Sequence, residues 1–416
     1  MEETMRSKDA SYKVFSYRWV VLFMLVPVIV ASEIFWLTFA PISSTAQSYY
    51  HVSSLGIDIF SMSYMFMYIL FTMPASWVIE KYGFRVSIII GAVLTTVFGI
   101  TRFAFSESYI IALGSQFLLA AGQPFLVNVS TKVPANWFPI NERSTASGIL
   151  VMAQYIGFII PMVASPILIQ AFDMKTMLGI YAGIALIASV LAIAFAKEKP
   201  AIPPGPEAPK ESMGFKAMGR LLINKNFAFV LAISFISMGI FNTLMTKIES
   251  ILSPTRGFSS SDAGFVAAVF LISGIIGAVI LPLLSDKICR RVPLLIIGIA
   301  LMGPLCVGLT FFGEYALIMA TAGVLGFLVM GLAPILFQHG AEVAYPVQEG
   351  ASFGTIMMMG QISGIAFVYI FEMIFGATNA ILWPMLFIII LAVLQIPLSA
   401  WMRESDIIKN IRKAKL

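Results

Sequence analysis

The chain has 416 residues, of which 59% are hydrophobic and only 11% are charged. Soluble domains carry about 25% charged residues, so this composition excludes a soluble enzyme or binding domain and indicates an integral membrane protein. The formal net charge of +5 does not predict a nucleic-acid partner, because the basic residues are distributed as in a membrane protein with a fixed topology.

Twelve apolar runs are long enough to cross a bilayer, which requires roughly 20 residues per helix. The first run follows a polar leader without a small-residue cleavage site and is too long for a signal peptide, so we expect it to be retained as a membrane span. The runs lie near 19–42, 57–79, 86–106, 108–132, 144–170, 176–196, 227–252, 263–284, 292–312, 315–339, 351–375 and 379–402.

The positive charge is concentrated on one side of the predicted membrane. Of 26 Lys and Arg residues, 22 lie before the first run, in alternate connections between runs, or after the last run. Short cytoplasmic connections are enriched in Lys and Arg. We therefore expect a multi-pass protein of the cell membrane with both termini in the cytoplasm.

The first run contains an acid, Glu33, and a tryptophan, Trp36, on one helical face. A carboxylate at this depth is unfavourable unless it is partnered, protonated or facing water. Glu33 is therefore a candidate to bind a cationic substrate or to carry a coupled proton, and the alternative is a structural hydrogen bond. Trp36 is a candidate substrate contact, and the alternative is an anchor at the membrane interface.

The second run carries Tyr64 and Tyr68 one turn apart, which predicts either cavity-lining or core-packing side chains. It ends in the loop "SWVIEKYGFRV", where Glu80, Lys81 and Arg85 would contact neighbouring helix ends and hold this side of the molecule closed in one state. We assign Glu142 and Arg143, before the fifth run, to the same set of gating residues.

The sixth run is followed by a segment rich in Pro and charge, "KEKPAIPPGPEAPKESMGFKAMGRLLINKN". It predicts a cytoplasmic linker, extended at first and ending in a short interfacial helix over 214–223. The expected organisation is an N-terminal six-helix bundle (1–196), the linker (197–226) and a C-terminal six-helix bundle (227–416).

The seventh run contains Lys247 and Glu249, which cannot share a helical face at a spacing of two residues. Glu249 is a candidate gate residue. Lys247 is expected to neutralise Glu33 or Glu249, and the alternative is a lysine that extends to the interface. In the eleventh run, Glu372 is a second candidate proton carrier. Four further charged residues are expected to be solvated or structural: Asp58, Arg102, Glu314 and Glu342.

The loop after the eighth run, "PLLSDKICRRV", repeats the acid–base pattern of the loop after the second run through Asp286, Lys287 and Arg290. Both loops resemble the signature of the major facilitator transporters, although Ser76 and Cys289 stand where that signature has glycine and Glu80 stands at its usual Asp. The resemblance implies an all-α membrane protein of twelve transmembrane helices in two pseudo-symmetric six-helix bundles, working by alternating access.

Four stretches resemble one branch of that superfamily, the feline leukaemia virus subgroup C receptor-related transporters. They are "IDIFSMSYMFMYI" with the loop that follows, "AAGQPFLVNVSTKVPANWFPINERSTASGI", "AEVAYPVQEGASFG" and "MGQISGIAF". The resemblance implies a substrate such as choline or ethanolamine, and some members of the branch have been linked to haem.

The same resemblance implies a substrate site made of aromatic and glutamine side chains. Trp36, Gln123 and Gln361 match its tryptophan and two glutamines, whereas Asn242 stands where the branch has a tyrosine. One aromatic wall is therefore absent. This departure argues against choline itself, because a quaternary ammonium has no N–H and depends on aromatic faces.

We expect a secondary active or facilitative transporter of a small organic solute, with an amine or quaternary-ammonium compound favoured. Lys247 suggests the alternative of an anionic, lipid-like or haem-like substrate, and a receptor or sensor without transport activity is a further alternative. The chain has no Walker motif, no metal-ligand spacing of Cys and His, and no nucleophile motif. We therefore expect a protein that is not an enzyme, with no cofactor and no bound metal. We also expect a monomer.

Overall fold

A computed structural model describes residues 14–202, 204, 219, 221, 223–345, 347, 349–406 and 408–409. All regular secondary structure within these ranges is helical. Most of the predicted linker, including most of the interfacial helix expected over 214–223, lies outside the described residues. So do Pro346 and Gln348 of the "AEVAYPVQEG" stretch.

The described residues form α-helices that range from 5 to 32 residues in length. In chain order they are α1 (Tyr17–Leu37), α2 (Ser43–Tyr50), α3 (Ser54–Tyr82), α4 (Phe84–Ala104), α5 (Tyr109–Ala120), α6 (Gln123–Val127), α7 (Val129–Trp137), α8 (Ile140–Ala171), α9 (Met174–Phe195), α10 (Lys225–Arg256), α11 (Ser260–Ile288), α12 (Val292–Phe311), α13 (Tyr315–Ala344), α14 (Glu349–Thr378) and α15 (Leu382–Ala400).

The twelve predicted membrane spans are confirmed: twelve helical segments of the described chain are long and apolar enough to cross a bilayer. Two of these segments are interrupted. The first consists of α1, a 3-10 turn at Ala40–Ile42 and α2. The fourth consists of α5, α6 and α7.

The interruption of the fourth segment positions Gln123. Pro124 follows Gln123 and has no backbone N–H, so it cannot continue the hydrogen-bond ladder of α5. Gly122 lies against the backbone of α4, where an added Cβ would be 2.9 Å from the carbonyl oxygen of Gly91. Only glycine allows this approach, and Gln123 therefore begins the new helix α6 inside the bundle.

Alternation of the twelve segments gives the molecule two ends. We call the end with the Gly83 loop and the start of α1 the terminal side, and the end with the turn between α10 and α11 the distal side. Within the first half (14–204), α1 packs on α8 and α9, and α4 packs on α9. Within the second half (223–409), α11 packs on α13, α10 on α14 and α12 on α15.

The halves meet through two helix pairs, α8 with α11 and α3 with α14. Small residues allow both contacts to be close. A Cβ added at Gly264 of α11 would collide with the carbonyl oxygen of Met162 in α8, and one added at Gly364 of α14 would lie 2.7 Å from the sulfur of Met65 in α3. In addition, α10 contacts the 40–50 region of the first segment.

Candidate functional site

A cavity of about 990 Å³ lies between the two halves. Its wall extends from Trp36 and Asn242 at the inner end to Glu80 and Lys81 at the terminal side. Glu80 and Lys81 are exposed, so the cavity opens at the terminal side.

Four side chains close the inner end of the cavity: Trp36, Phe158, Phe241 and Asn242. We call them the floor. On the distal side of the floor lies a separate void of only about 10 Å³, barely the space that one water molecule needs. The void that the described residues leave on the distal side of the floor is therefore too small for a ligand.

The indole of Trp36 is held in place by aromatic neighbours. It stacks on Tyr64 with ring centroids 5.4 Å apart and meets Phe158 edge-on at 5.3 Å. Tyr64 is fully buried behind it and donates to the carbonyl oxygen of Ser32 at 2.7 Å. Tyr68 lines the cavity. Of the two roles expected for these tyrosines, Tyr64 therefore packs in the core behind Trp36, whereas Tyr68 lines the cavity.

Glu33 lies one layer behind the cavity wall. Its side chain is fully buried, and the amide nitrogen of Gln123 donates to its two carboxylate oxygens at 3.0 and 3.2 Å. Gln123 itself lines the cavity. Gln123 therefore separates the Glu33 carboxylate from the cavity, and this contact is of the kind given as the structural alternative for Glu33, whereas its role as a proton carrier stays a prediction.

Asn242 and Gln361 reach the cavity from the second half. The amide nitrogen of Asn242 donates to the carbonyl oxygen of Gly360 at 3.3 Å. The side-chain oxygen of Gln361 is buried and accepts no hydrogen bond from the described residues. The indole nitrogen of Trp36 is likewise buried and donates to no described acceptor. The inner end of the cavity thus has polar atoms available to a ligand.

The distal side is closed by a buried ionic cluster that joins the halves. The ammonium of Lys247, in α10, contacts the carboxylates of Asp58 in α3 and Glu372 in α14. It also donates to the hydroxyl of Ser54 at 3.0 Å. We call Asp58, Lys247, Glu372 and Ser54 the distal cluster. Lys247 therefore neutralises neither Glu33 nor Glu249, and Asp58 is buried rather than solvated.

Glu249 forms a second polar contact between the halves on the distal side. Its carboxylate accepts from the backbone N–H of Ser44 at 2.8 Å, from the Ser44 hydroxyl at 2.6 Å and from the Ser260 hydroxyl at 2.6 Å. Ser44 belongs to α2 in the first half, and Glu249 and Ser260 belong to the second half. Separation of the two halves would break the hydrogen bonds between Ser44 and Glu249.

The terminal loop residues lie at the open mouth of the cavity. Glu80 and Lys81 line the mouth, and Arg85 is exposed beside them. Near the start of α4, the backbone N–H groups of Phe84 and Arg85 donate to Glu198 at 3.1 and 2.8 Å. Each of these hydrogen bonds lies within the first half.

The matching loop of the second half is also held by contacts within its own half. Arg291 contacts Asp286 at 3.2 Å and Glu342 at 2.8 Å. Glu404 accepts from the backbone N–H groups of Arg291 and Val292, at 2.9 and 3.1 Å. Lys287 and Arg290 are exposed.

The start of α8 carries the last of the predicted gating residues. Glu142 forms an ion pair with Arg18 at 3.1 Å, and Arg143 donates to the carbonyl oxygen of Phe138 at 3.1 Å. All four residues belong to the first half.

Comparison with known proteins identifies the family. The family model of the Major Facilitator Superfamily matches residues 21–368, which is most of the chain. The chain belongs to the major facilitator superfamily. Its fold also matches a major facilitator structure, a bacterial homolog of the human lysosomal transporter Spinster in an inward-facing and unoccupied conformation. The TM-score is 0.76 over 93% of this chain and 97% of that chain, at 12% sequence identity.

Relatives that are longer than this chain match most of it at the sequence level. An uncharacterized MFS-type transporter of Caenorhabditis elegans is 26% identical over 86% of this chain, and the match spans 64% of the nematode protein, just under two thirds. The choline/ethanolamine transporter FLVCR2 of Homo sapiens is 26% identical over 85% of this chain and 71% of its own length. The zebrafish transporter flvcr2a, of the same description, is 27% identical over 88% and 82%.

Membership of the major facilitator superfamily makes the chain a membrane transporter and not an enzyme. Sequence reasoning gave Asp58 as solvated or structural without naming its partner, and it did not identify the structural roles of Glu198 and Glu404. A signal was present for the last two, since a base followed by Glu comes after the sixth and the twelfth spans, as "KE" and "RE". For Asp58 the partners are distant in sequence, and no local pattern indicated them.

Proposed function

We propose that this transporter moves a small organic amine or quaternary-ammonium compound across the cell membrane by alternating access. The observation that carries the proposal is the cavity, which is open at one side only and combines aromatic faces with amide groups at its inner end. Aromatic faces attract organic cations. FLVCR2, a relative over most of its length, is described as a choline/ethanolamine transporter.

The alternative of an anionic substrate loses its main support. That alternative depended on Lys247 facing the cavity, but its ammonium is buried between Asp58 and Glu372. The charged residues in the described cavity wall are Glu80, Lys81 and Lys132, which lie toward the terminal side. We therefore favour a cationic substrate that binds at the inner end of the cavity. We further propose that the protein acts as a monomer and that its terminal side faces the cytoplasm.

The proposal is tested with purified protein in liposomes loaded with unlabelled ethanolamine or choline. We expect uptake of the labelled compound by exchange. We expect Trp36→Ala to lower the affinity through loss of a cation–π contact of about 2 kcal/mol. Trp383→Ala is the matched control, because Trp383 is an exposed tryptophan of α15 away from the cavity. Exchange of neither compound, or equal effects of the two variants, would contradict the proposal.

A further inference from the structure

Three amide side chains near the floor come from three different helices. The nitrogens of two of them donate hydrogen bonds to neighbouring residues. Gln123 begins α6, Asn242 lies in α10 and Gln361 in α14. The Gln123 nitrogen donates to both oxygens of Glu33, and the Asn242 nitrogen donates to Gly360. The Gln361 oxygen is a buried acceptor to which none of the described residues donates. We call these three side chains the floor amides.

Glu33 fixes the orientation of the first floor amide. The nitrogen of the Gln123 amide donates to both Glu33 oxygens, which turns the amide oxygen away from Glu33. Glu33 cannot withdraw, because it is fully buried and packs against Gly157 of α8, where an added Cβ would be 2.5 Å from the Glu33 Cβ. Glu33 is thus a positioning residue for Gln123.

The buried cations near this part of the molecule are already occupied. Lys247 is held by the distal cluster. Arg102 donates to Gln116 at 2.6 Å and lies over the ring of Phe39 at 4.5 Å. Neither lines the cavity. Among the described residues that line the cavity, the inner end therefore carries no positively charged side chain.

We infer that this cavity selects alkylammonium ions that retain at least one N–H over quaternary ammonium ions. The inference rests on the proposed function and names the substrate class of the same site. The Gln361 oxygen is an acceptor to which no described residue donates, and the nitrogens of Gln123 and Asn242 are already engaged, so an N–H donor is satisfied here and a methyl group is not. A buried acceptor covered by a methyl group loses its hydrogen bond to water without a replacement. Sites built to bond an N–H reject analogues that lack it.

The floor also indicates a second polar group on the ligand, in addition to the ammonium group. The indole N–H of Trp36 is buried and has no acceptor among the described residues. It would donate to a hydroxyl or carbonyl oxygen carried close to the ammonium group. The Asn242 position offers an amide in place of an aromatic ring, so the aromatic surface that a quaternary ammonium needs is reduced on this side.

The test is a methylation series at constant chain length: ethanolamine and its N-methyl, N,N-dimethyl and N,N,N-trimethyl derivatives. The dissociation constant of each is measured by calorimetry on the purified full-length protein. We expect the affinity to fall by about tenfold or more between the dimethyl compound, which has one N–H, and the trimethyl compound, which has none. Equal or tighter binding of the trimethyl compound would overturn the inference and leave the proposed function intact. Failure of all four to bind would overturn both.

Two variants test whether the floor amides cause the fall in affinity between the dimethyl and the trimethyl compound. In Glu33→Gln the new amide can donate or accept, so Gln123 is free to rotate. Binding of all four cations should weaken, and the ratio between the dimethyl and trimethyl compounds should fall toward one. Gln361→Leu should lower the same ratio without the general loss. Gln170→Leu, which removes an exposed amide of α8 that does not line the cavity, should leave the ratio unchanged. A ratio that stays at the wild-type value in both Glu33→Gln and Gln361→Leu would refute the role of these amides.

Discussion

Lys247 is a buried base between a buried acid, Asp58, and a partly buried acid, Glu372, and the three side chains come from different helices. Asp58 belongs to the first half, and Lys247 and Glu372 belong to the second. Moving charges out of water is unfavourable, and a buried ion pair repays this only through close mutual contact. The cluster therefore stabilises the molecule only while the distal ends of α3, α10 and α14 remain together.

We predict that Lys247→Met strongly destabilises the arrangement seen in the structure. It leaves two carboxylates buried side by side without a cation, and removal of one partner of a buried pair costs about 3–5 kcal/mol. The measurement is the free energy of unfolding, or the thermal midpoint, of the protein in detergent.

Two controls separate the charge from the packing. Lys175→Met should have little effect, because Lys175 is half-exposed and 3.8 Å from Glu107, and exposed pairs contribute roughly 0–1 kcal/mol. The triple variant Asp58→Asn, Lys247→Met, Glu372→Gln should recover much of the loss by removing the stranded acids. A Lys247→Met protein as stable as Lys175→Met would show that the cluster contributes nothing.

At the residue level, sequence identified the unusual side chains better than their partners. A charged residue in an apolar run is conspicuous, so Glu33 and Lys247 were identified as candidate site residues. Their partners were not, because Gln123 is 90 positions from Glu33 and Asp58 is 189 positions from Lys247. Such contacts depend on the packing of the two halves, which no local pattern contains. Asp58 lies close to a predicted helix end and was expected to be solvated or structural, but no partner was indicated for it.

Among the helices, the contacts between halves follow a repeated rule. The second crossing helix of each half packs against the fifth of the other half: α3 against α14, and α11 against α8. A glycine lies at each contact, Gly364 in α14 and Gly264 in α11. Small residues let membrane helices approach closely and gain van der Waals contact. The twelve spans could be predicted from hydropathy because the bilayer imposes their length, but these pairings could not.

We predict that Gly264→Ala weakens the closed distal side. The added methyl group would collide with the carbonyl oxygen of Met162 and force α8 and α11 apart, and overpacking of this kind costs typically about 1–3 kcal/mol. The measurement is again the thermal midpoint. Gly114→Ala in α5 is the control, because an added Cβ there meets nothing within 4 Å, and alanine favours a helix by about 1 kcal/mol over glycine. Equal thermal midpoints for the two variants would show that the contact between Gly264 and Met162 does not stabilise the closed distal side.

Helix starts on the terminal side show the internal repeat in a second way. Glu198, after the sixth span, accepts from the first N–H groups of α4, and Glu404, after the twelfth, accepts from those at the start of α12. Carboxylates are favourable at helix N-termini because the N–H groups there lack partners within the helix. The acid–base loops suggested a repeat from the sequence, and these two contacts extend it to the ends of both halves.

For the whole molecule, the polar contacts divide by side. On the distal side, the distal cluster and the Glu249–Ser44 contact join the two halves. On the terminal side, the ion pairs Arg18–Glu142 and Arg291–Glu342 each lie within one half. Opening the distal side must therefore break contacts between halves, whereas the terminal pairs can survive while new contacts form across the closing mouth.

We predict that the two sides of the cavity are accessible in alternation, with the terminal side in the cytoplasm. Single cysteines are placed in a background in which Cys289 and Cys306 are replaced, and are labelled with an impermeant maleimide in oriented vesicles. Tyr82→Cys and Glu314→Cys mark the terminal and distal surfaces, where both residues are exposed. Ser147→Cys reports on the cavity wall, and Thr246→Cys reports on the buried void beyond the floor.

The clustering of Lys and Arg on the terminal connections predicts labelling of Tyr82→Cys from the cytoplasmic face only and of Glu314→Cys from the outside only. Ser147→Cys should then react rapidly from the cytoplasmic face, and Thr246→Cys slowly from the outside. Addition of Lys247→Met should raise the rate at Thr246→Cys and lower the rate at Ser147→Cys, because a shift of population toward the distal-open state closes the other side. If both rates rise together, the variant has loosened the protein locally and the two sides do not alternate. Inverted labelling of the two surface markers would reverse the assigned topology.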